Sequence, residues 1–388
     1  MRKQRSFAVT VLRAAAGWCA SKLEYAAILV LEGLLRVARR LDPRLYSRRA
    51  RLKAVRQGAA VKPDGAFLIF VFYATGPLPG FTRTFIDAVA RSPFNLILVA
   101  NAPVENSLAA DLLSRCCLLI ERANVGRDFG AYKDGIGVLM ERFPGVQRLV
   151  IANDSVFYLQ DGLDSLLRAL NGSEDFIGVS EVYDHHYHVA SFLQSFSRRV
   201  LTSAAFRRFW ENYRPIGTRR WAILKGEGAL TSALLKAGFR PHVLFRVSML
   251  RSRLRTAGDL RVLKPLLPPA IYDKIAGTAE PDLPELIRRR FARAAPEESP
   301  AVADAITNRV MATNQLHGAG FLFWRFMGLP LVKRDICYRG IHTLSQVASI
   351  LSPVDAAARD EILADLERRG DGGQIPIVLR PLYHHGII

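Results

Sequence analysis

Cysteine is scarce in this sequence: four in 388 residues, with no Cys-x-x-Cys pair and no metal-ligand spacing to histidine. That argues against a disulfide framework and a structural zinc site, and it fits a reducing cytoplasm. Long apolar runs are missing too. Arg13, Lys22, Glu24 and Glu32 interrupt the N-terminal apolar stretch, so neither a cleaved signal peptide nor a membrane-spanning helix is predicted. Acidic residues are short in number, 35 against 54 Lys and Arg, for a formal net charge of +19. Internal repeats and low-complexity tracts are absent. What remains is half hydrophobic, enough for a sizeable core or two domains.

The positive charge is unevenly placed. Residues 1–57 hold fourteen Lys and Arg against three Asp and Glu, which is eleven of the nineteen net charges. Within them Leu23, Ala27, Val30, Leu31, Leu34, Leu35 and Ala38 recur near helical spacing, and Arg36, Arg39 and Arg40 follow. An amphipathic helix of this kind lies on an anionic membrane, here the cytoplasmic face of the inner membrane. The alternative is a helix packed on the domain with a solvated basic end. With the charge gathered there and no nucleic-acid-binding module in the sequence, no nucleic-acid partner is expected.

From about Pro63 short apolar runs alternate with helical stretches. Strands are predicted at Ala66–Tyr73, Asn95–Ala100, Cys116–Ile120, Leu149–Ala152 and Phe176–Val179. Helices are predicted at Phe81–Arg91, Ser107–Arg115, Gly130–Phe143 and Leu163–Leu170, then over the aromatic-rich Phe192–Trp210 and over Glu227–Ala237. This order predicts an α/β fold, a mostly parallel twisted sheet with helices on both faces. Four stretches follow: a basic N-terminal helical segment (1–62), an α/β domain (63–250), a helical Arg- and Pro-rich insertion (251–310) and a C-terminal segment completing the domain (311–388). Ligands of such sheets sit beyond the carboxyl ends of the strands.

Two of those strand ends carry the chemistry. After the third strand, Asn124, Gly126 and Gly130 make a tight loop that lets backbone approach a ligand. Arg127 offers a planar fork suited to a diphosphate, and Lys133 a second charge. Asp128 can cap the next helix or bind a sugar hydroxyl. After the fourth strand come Asn153, Asp154 and Ser155. A carboxylate placed like Asp154 can hold Mg²⁺ or Mn²⁺ on a nucleotide diphosphate, while Asn153 and Ser155 add neutral oxygens. Both loops can equally be ordinary turns.

These residues stand in a recurring order. Arg122–Tyr132, Ile151–Phe157, Leu193–Ser195 with Phe206–Trp210, Gly226–Ser232, and Phe321–Trp324 with Pro330–Arg334 together resemble the rhamnan synthesis protein F family. The order and spacing hold from about residue 65 to 345. The resemblance implies a GT-A-like nucleotide-sugar-binding fold and a glycosyltransferase, rhamnosyltransferase-like, working in cell-surface polysaccharide assembly. Its partners would be a nucleotide diphosphate sugar and a lipid-linked or polysaccharide acceptor. Asn153-Asp154-Ser155 takes the place of the Asp-x-Asp motif of that wider class, with Asn153 where its first Asp stands. A non-catalytic membrane-associated assembly protein is the second reading. Inverting transfer needs a base, for which Asp184, Glu181 and Glu227 are the candidates, and cations for the leaving diphosphate, for which Arg127, Lys133, Lys333 and Arg334 are.

Overall fold

Every residue of Ala66–Phe72 is buried, and its side chains alternate between two cores. Phe70 and Phe72 join one apolar cluster with Phe85 and Tyr158, while Phe67, Ile69 and Val71 join the other with Phe129, Ile136 and Leu139. A strand apolar on both sides demands cover on both faces of its sheet. Replacing Phe70 by Ala would cost about 3–5 kcal/mol at such a site. The structure, a computed structural model, describes residues 42–63, 65–73, 76–183, 186–256, 263–269, 299–311 and 314–370, with scattered positions between 26 and 37 and at 382.

The strands run β1 (Leu52–Gln57), β2 (Ala66–Phe72), β3 (Asn95–Ala100), β4 (Leu118–Arg122), β5 (Arg148–Asn153), β6 (Val156–Tyr158), β7 (Phe176–Gly178), β8 (Glu181–Val182), β9 (His188–Val189), β10 (Leu193–Ser197), β11 (Pro241–Val243) and β12 (Leu331–Lys333). The main sheet has eight strands in the order β1-β4-β3-β2-β5-β10-β7-β11. Strands β4, β3, β2 and β5 are parallel neighbours, and β11 is parallel to β7. Strand β1 and the inserted β10 run antiparallel to their neighbours. Helices Gly80–Arg91 and Leu163–Leu170 bury Phe81, Phe85, Leu163 and Leu167 in one core, and helix Arg127–Arg142 packs into the other. This is the expected mixed α/β fold, mostly parallel and covered on both faces.

Two segments depart from the reading of the sequence. Leu52–Gln57, placed in the basic helical segment, is an edge strand paired with β4. Its Lys53 and Arg56 fit the charged edges that discourage further pairing. Leu193–Ser197, read as the start of a helix, is the antiparallel strand β10, and helices begin only at Arg198 and Ala204. Its fully buried polar residues hid it. Gln194 Nε2 donates to the Val189 carbonyl at 2.9 Å and Ser195 Oγ to the Leu170 carbonyl at 2.7 Å.

The boundary at 250/251 falls inside helix Val247–Arg255, whose Leu250 and Leu254 join the main core with Ile306 and Val310 of helix Ser299–Met311. Most of the N-terminal amphipathic stretch, most of 257–298, residues 184–185 and the end of the chain beyond 370 (except 382) lie outside the described residues.

Candidate functional site

The site begins where β4 ends. Gly126 has φ +80°, and a Cβ there would lie 2.3 Å from Pro215 Cβ, so only glycine fits the turn. Arg127 follows with φ +53°, the one non-glycine residue with positive φ among the described residues. A strained backbone of this kind clusters at ligand-binding sites. It starts helix Arg127–Arg142 and puts Arg127 and Asp128 in the first turn, where the helix dipole favours an anion.

Parallel pairing of β2 with β5 brings the second loop alongside. Asn153 Nδ2 donates to Asp128 Oδ2 at 2.8 Å, and Asn153 Oδ1 accepts from the Ser155 amide at 3.0 Å and its hydroxyl at 2.7 Å. Strand β12 pairs antiparallel with β6, setting Lys333 opposite Val156. Arg127, Asp128, Asn153, Ser155, Glu227 and Lys333 thus line one cavity of about 830 Å³. That volume suits a small-molecule ligand.

Cations outnumber carboxylates in the cavity lining. Arg219, Arg220 and Arg339 line it as well. Arg127 Nε donates to the Gly217 carbonyl at 3.1 Å, and Lys333 Nζ sits 5.3 Å from the Phe192 ring centre. Burial, followed by the Asp154 carboxylate, pushes the Asp128 carboxyl up to about 7, against the pull of Arg127 and Lys333. A six-residue π-helical stretch, Ala222–Glu227, carries Ala222, Ile223, Leu224 and Glu227 into the wall. Such widened turns recur at functional sites. Gly226 within it leaves room for the Phe129 ring, which a Cβ would meet at 2.8 Å. Glu227 Oε2 accepts from the Ser191 amide at 2.7 Å.

Other expected site residues sit elsewhere. Asp154 does not line the cavity, although its neighbours on both sides do. Its Oδ2 accepts from the Tyr73 amide at 3.2 Å and lies 3.5 Å from Arg334 Nη1. Arg334 points with it, away from Lys333, as successive strand residues must. Its guanidinium is held by Asp365 at 3.0 Å. A hard divalent ion at Asp154 therefore does not fit these residues: a guanidinium and a backbone amide already serve the carboxylate. Among the described residues no group of three or more His, Cys, Asp or Glu side chains could hold a metal.

Lys133 donates to the carbonyls of Glu211 at 3.0 Å and Tyr213 at 2.7 Å, outside the cavity lining. Asn124 is exposed and does not line the cavity either. Glu181 is buried on the other side of its strand from Ser180 and Val182, which do line it, and is hydrogen-bonded by Tyr183 and Tyr187. Asp184 lies outside the described residues. The sequence reading missed His317 and Asp335, which line the cavity with their side chains 2.8 Å apart. Their eighteen-residue separation gave no motif to find; the alternation around Lys333 could have flagged Asp335.

Curated proteins resemble this chain over part of its length. The uncharacterized protein y4gN of Sinorhizobium fredii is 27% identical over 187 residues, 47% of this chain and 49% of its own. The virulence protein VirA of Vibrio anguillarum is 29% identical over 149 residues, 37% of this chain and 48% of its own. The chain thus spans about half the length of the curated relatives it matches. Among solved structures, the glycosyltransferase GlyE of Streptococcus pneumoniae is similar at 11% identity, covering 45% of this chain and 44% of its own, with a TM-score of 0.26. A likeness that loose carries no argument. The family match is firmer though narrower than the run of motifs: residues 96–263, which hold both strand-end loops and Glu227, match the family described as rhamnan synthesis protein F.

Proposed function

We propose that this chain is a glycosyltransferase that moves a sugar, rhamnose if the family name is a guide, from a nucleotide diphosphate to a growing cell-surface polysaccharide. The observation that carries the reading is the meeting of the Arg127–Asp128 helix start, the Asn153–Ser155 strand end and Lys333 around one cavity. A diphosphate there meets helix-start amides and several cations, which take up the charge that develops as the sugar leaves. No step is routed through a metal ion. The acceptor is lipid-linked or polysaccharide.

The N-terminal segment supports docking on an anionic membrane. Val30, Leu34 and Val37, one face of a helix, are 63%, 63% and 61% exposed, within the segment that holds most of the net charge. No helix of the described residues is long and apolar enough to cross a membrane.

The test is thermal unfolding with UDP, TDP and GDP. At one hundred times its Kd the right nucleotide stabilises the fold by about 2.7 kcal/mol. Arg127→Ala and Lys333→Ala should each weaken that binding about tenfold or more. If none of the three nucleotides shifts the transition, the reading is wrong. The second reading, an assembly protein that binds without turnover, is favoured by the absence of Asp154 from the cavity lining and its pairing with Arg334. Nucleotide binding without release of nucleotide from any nucleotide sugar would select it.

A further inference from the structure

The C-terminal elements bring to this cavity a pair that no sequence motif marks. His317 lies in the first turn of helix Gln315–Met327, where the Asn314 side chain accepts its amide and starts the helix. Its ring is nearly buried, and it lines the cavity together with Asp335. The His317 Nε2 to Asp335 Oδ1 distance is 2.8 Å, and the other oxygen of Asp335 is held by Arg339 Nε. A carboxylate on Nε2 keeps the proton there and leaves the Nδ1 lone pair available. Nδ1 has no hydrogen-bond partner among the described residues.

The carboxylates in reach are less suited. Glu227 accepts from the Ser191 amide, Glu181 faces elsewhere, and Asp128 accepts from the Asn153 side-chain amide in the first turn of its helix, on the side where the diphosphate is placed. Burial holds the His317 pKa below the usual histidine range; Lys333 and Arg339 act the same way, and Asp335 opposes them. The ring is therefore neutral at neutral pH and able to take a proton.

We propose that His317, oriented by Asp335, is the general base that activates the acceptor hydroxyl in the transfer reaction. The proposal rests on the transferase reading above. In the step, the acceptor oxygen gives its proton to His317 Nδ1 and bonds to the anomeric carbon. The bond from that carbon to the diphosphate oxygen breaks, and its electron pair leaves with the diphosphate. Arg127 and Lys333 face the resulting charge, and Asp335 steadies the imidazolium. Asp335 is a positioning residue here.

The experiment measures nucleotide release from TDP-rhamnose and UDP-glucose, with water as acceptor, beside calorimetric binding of TDP and UDP. His317→Gln should lower turnover about 100-fold or more while nucleotide affinity stays within about twofold. Imidazole added to His317→Gly should restore part of the rate. Asp335→Asn should shift the acid limb of the rate profile to lower pH, because it removes the group that raises the His317 pKa. Wild-type turnover in His317→Gln, or a parallel loss of nucleotide affinity, overturns the base assignment alone. If the wild-type protein binds neither nucleotide and releases none, the transferase reading falls and the base goes with it.

Discussion

Two aspartates on the helix Arg127–Arg142, less than two turns apart, have opposite fates. Asp134 is fully buried and closed: Arg51 Nη2 lies 2.5 Å and Arg122 Nε 2.8 Å from its oxygens. Arg122 also donates to Asn101 and to the Val125 carbonyl. That network ties β4 and the short helix Arg48–Arg51 before β1 to the longer helix. Asp128 has one amide donor, faces a second carboxylate and opens on a cavity. A buried carboxylate with its charge answered is a staple; one left under-answered beside a cavity is prepared for a ligand.

The comparison breaks most visibly at the staple. Asp134→Ala leaves the Arg51 and Arg122 guanidiniums buried without their carboxylate, and should cost about 3–5 kcal/mol in urea unfolding. A loss under about 1 kcal/mol would remove the contrast. Asp128→Asn should do the reverse. The fold raises the Asp128 pKa, so the stabilisation it gives the protonated acid is present below the ordinary carboxylate range. It is lost as pH rises through about 7. The amide variant carries no such loss: its Tm should match wild type near about pH 4 and exceed it by several degrees near about pH 8. Parallel Tm profiles for the two proteins would show that the carboxylate is unstrained.

Much of this was legible in the sequence. The five apolar strands and their helices were readable because a doubly covered parallel strand is a plain apolar run, as Ala66–Phe72 is. Strand β10 was not, because Gln194 and Ser195 are polar and their buried partners, the Val189 and Leu170 carbonyls, are invisible in one dimension. Arg127, Asp128, Asn153 and Ser155 could be placed together because strand ends of a parallel sheet converge. The direction of Asp154 could not be read, since a turn residue points where its local hydrogen bonds send it. The His317–Asp335 pair reaches this cavity because β12 docks on β6, a pairing of residues about 175 apart that one dimension does not show.

Lys133 gives the smallest and most discriminating test of where the site ends. It sits between the two aspartates, one helical face away from the cavity lining, and burial lowers its pKa to about 8. Its amino group bonds the carbonyls that end helix Ala204–Asn212, where the helix dipole welcomes a cation. A lysine so placed holds two helices together, whereas a donor-binding lysine would face the phosphates. Lys133→Met keeps the stem and deletes both hydrogen bonds. It should cost about 1–2 kcal/mol of stability and leave nucleotide affinity within about twofold of wild type, as read by unfolding and calorimetry on the same preparation. A tenfold loss of nucleotide affinity with unchanged stability would instead extend the diphosphate site one turn down the helix, and the division between staple and site would move with it.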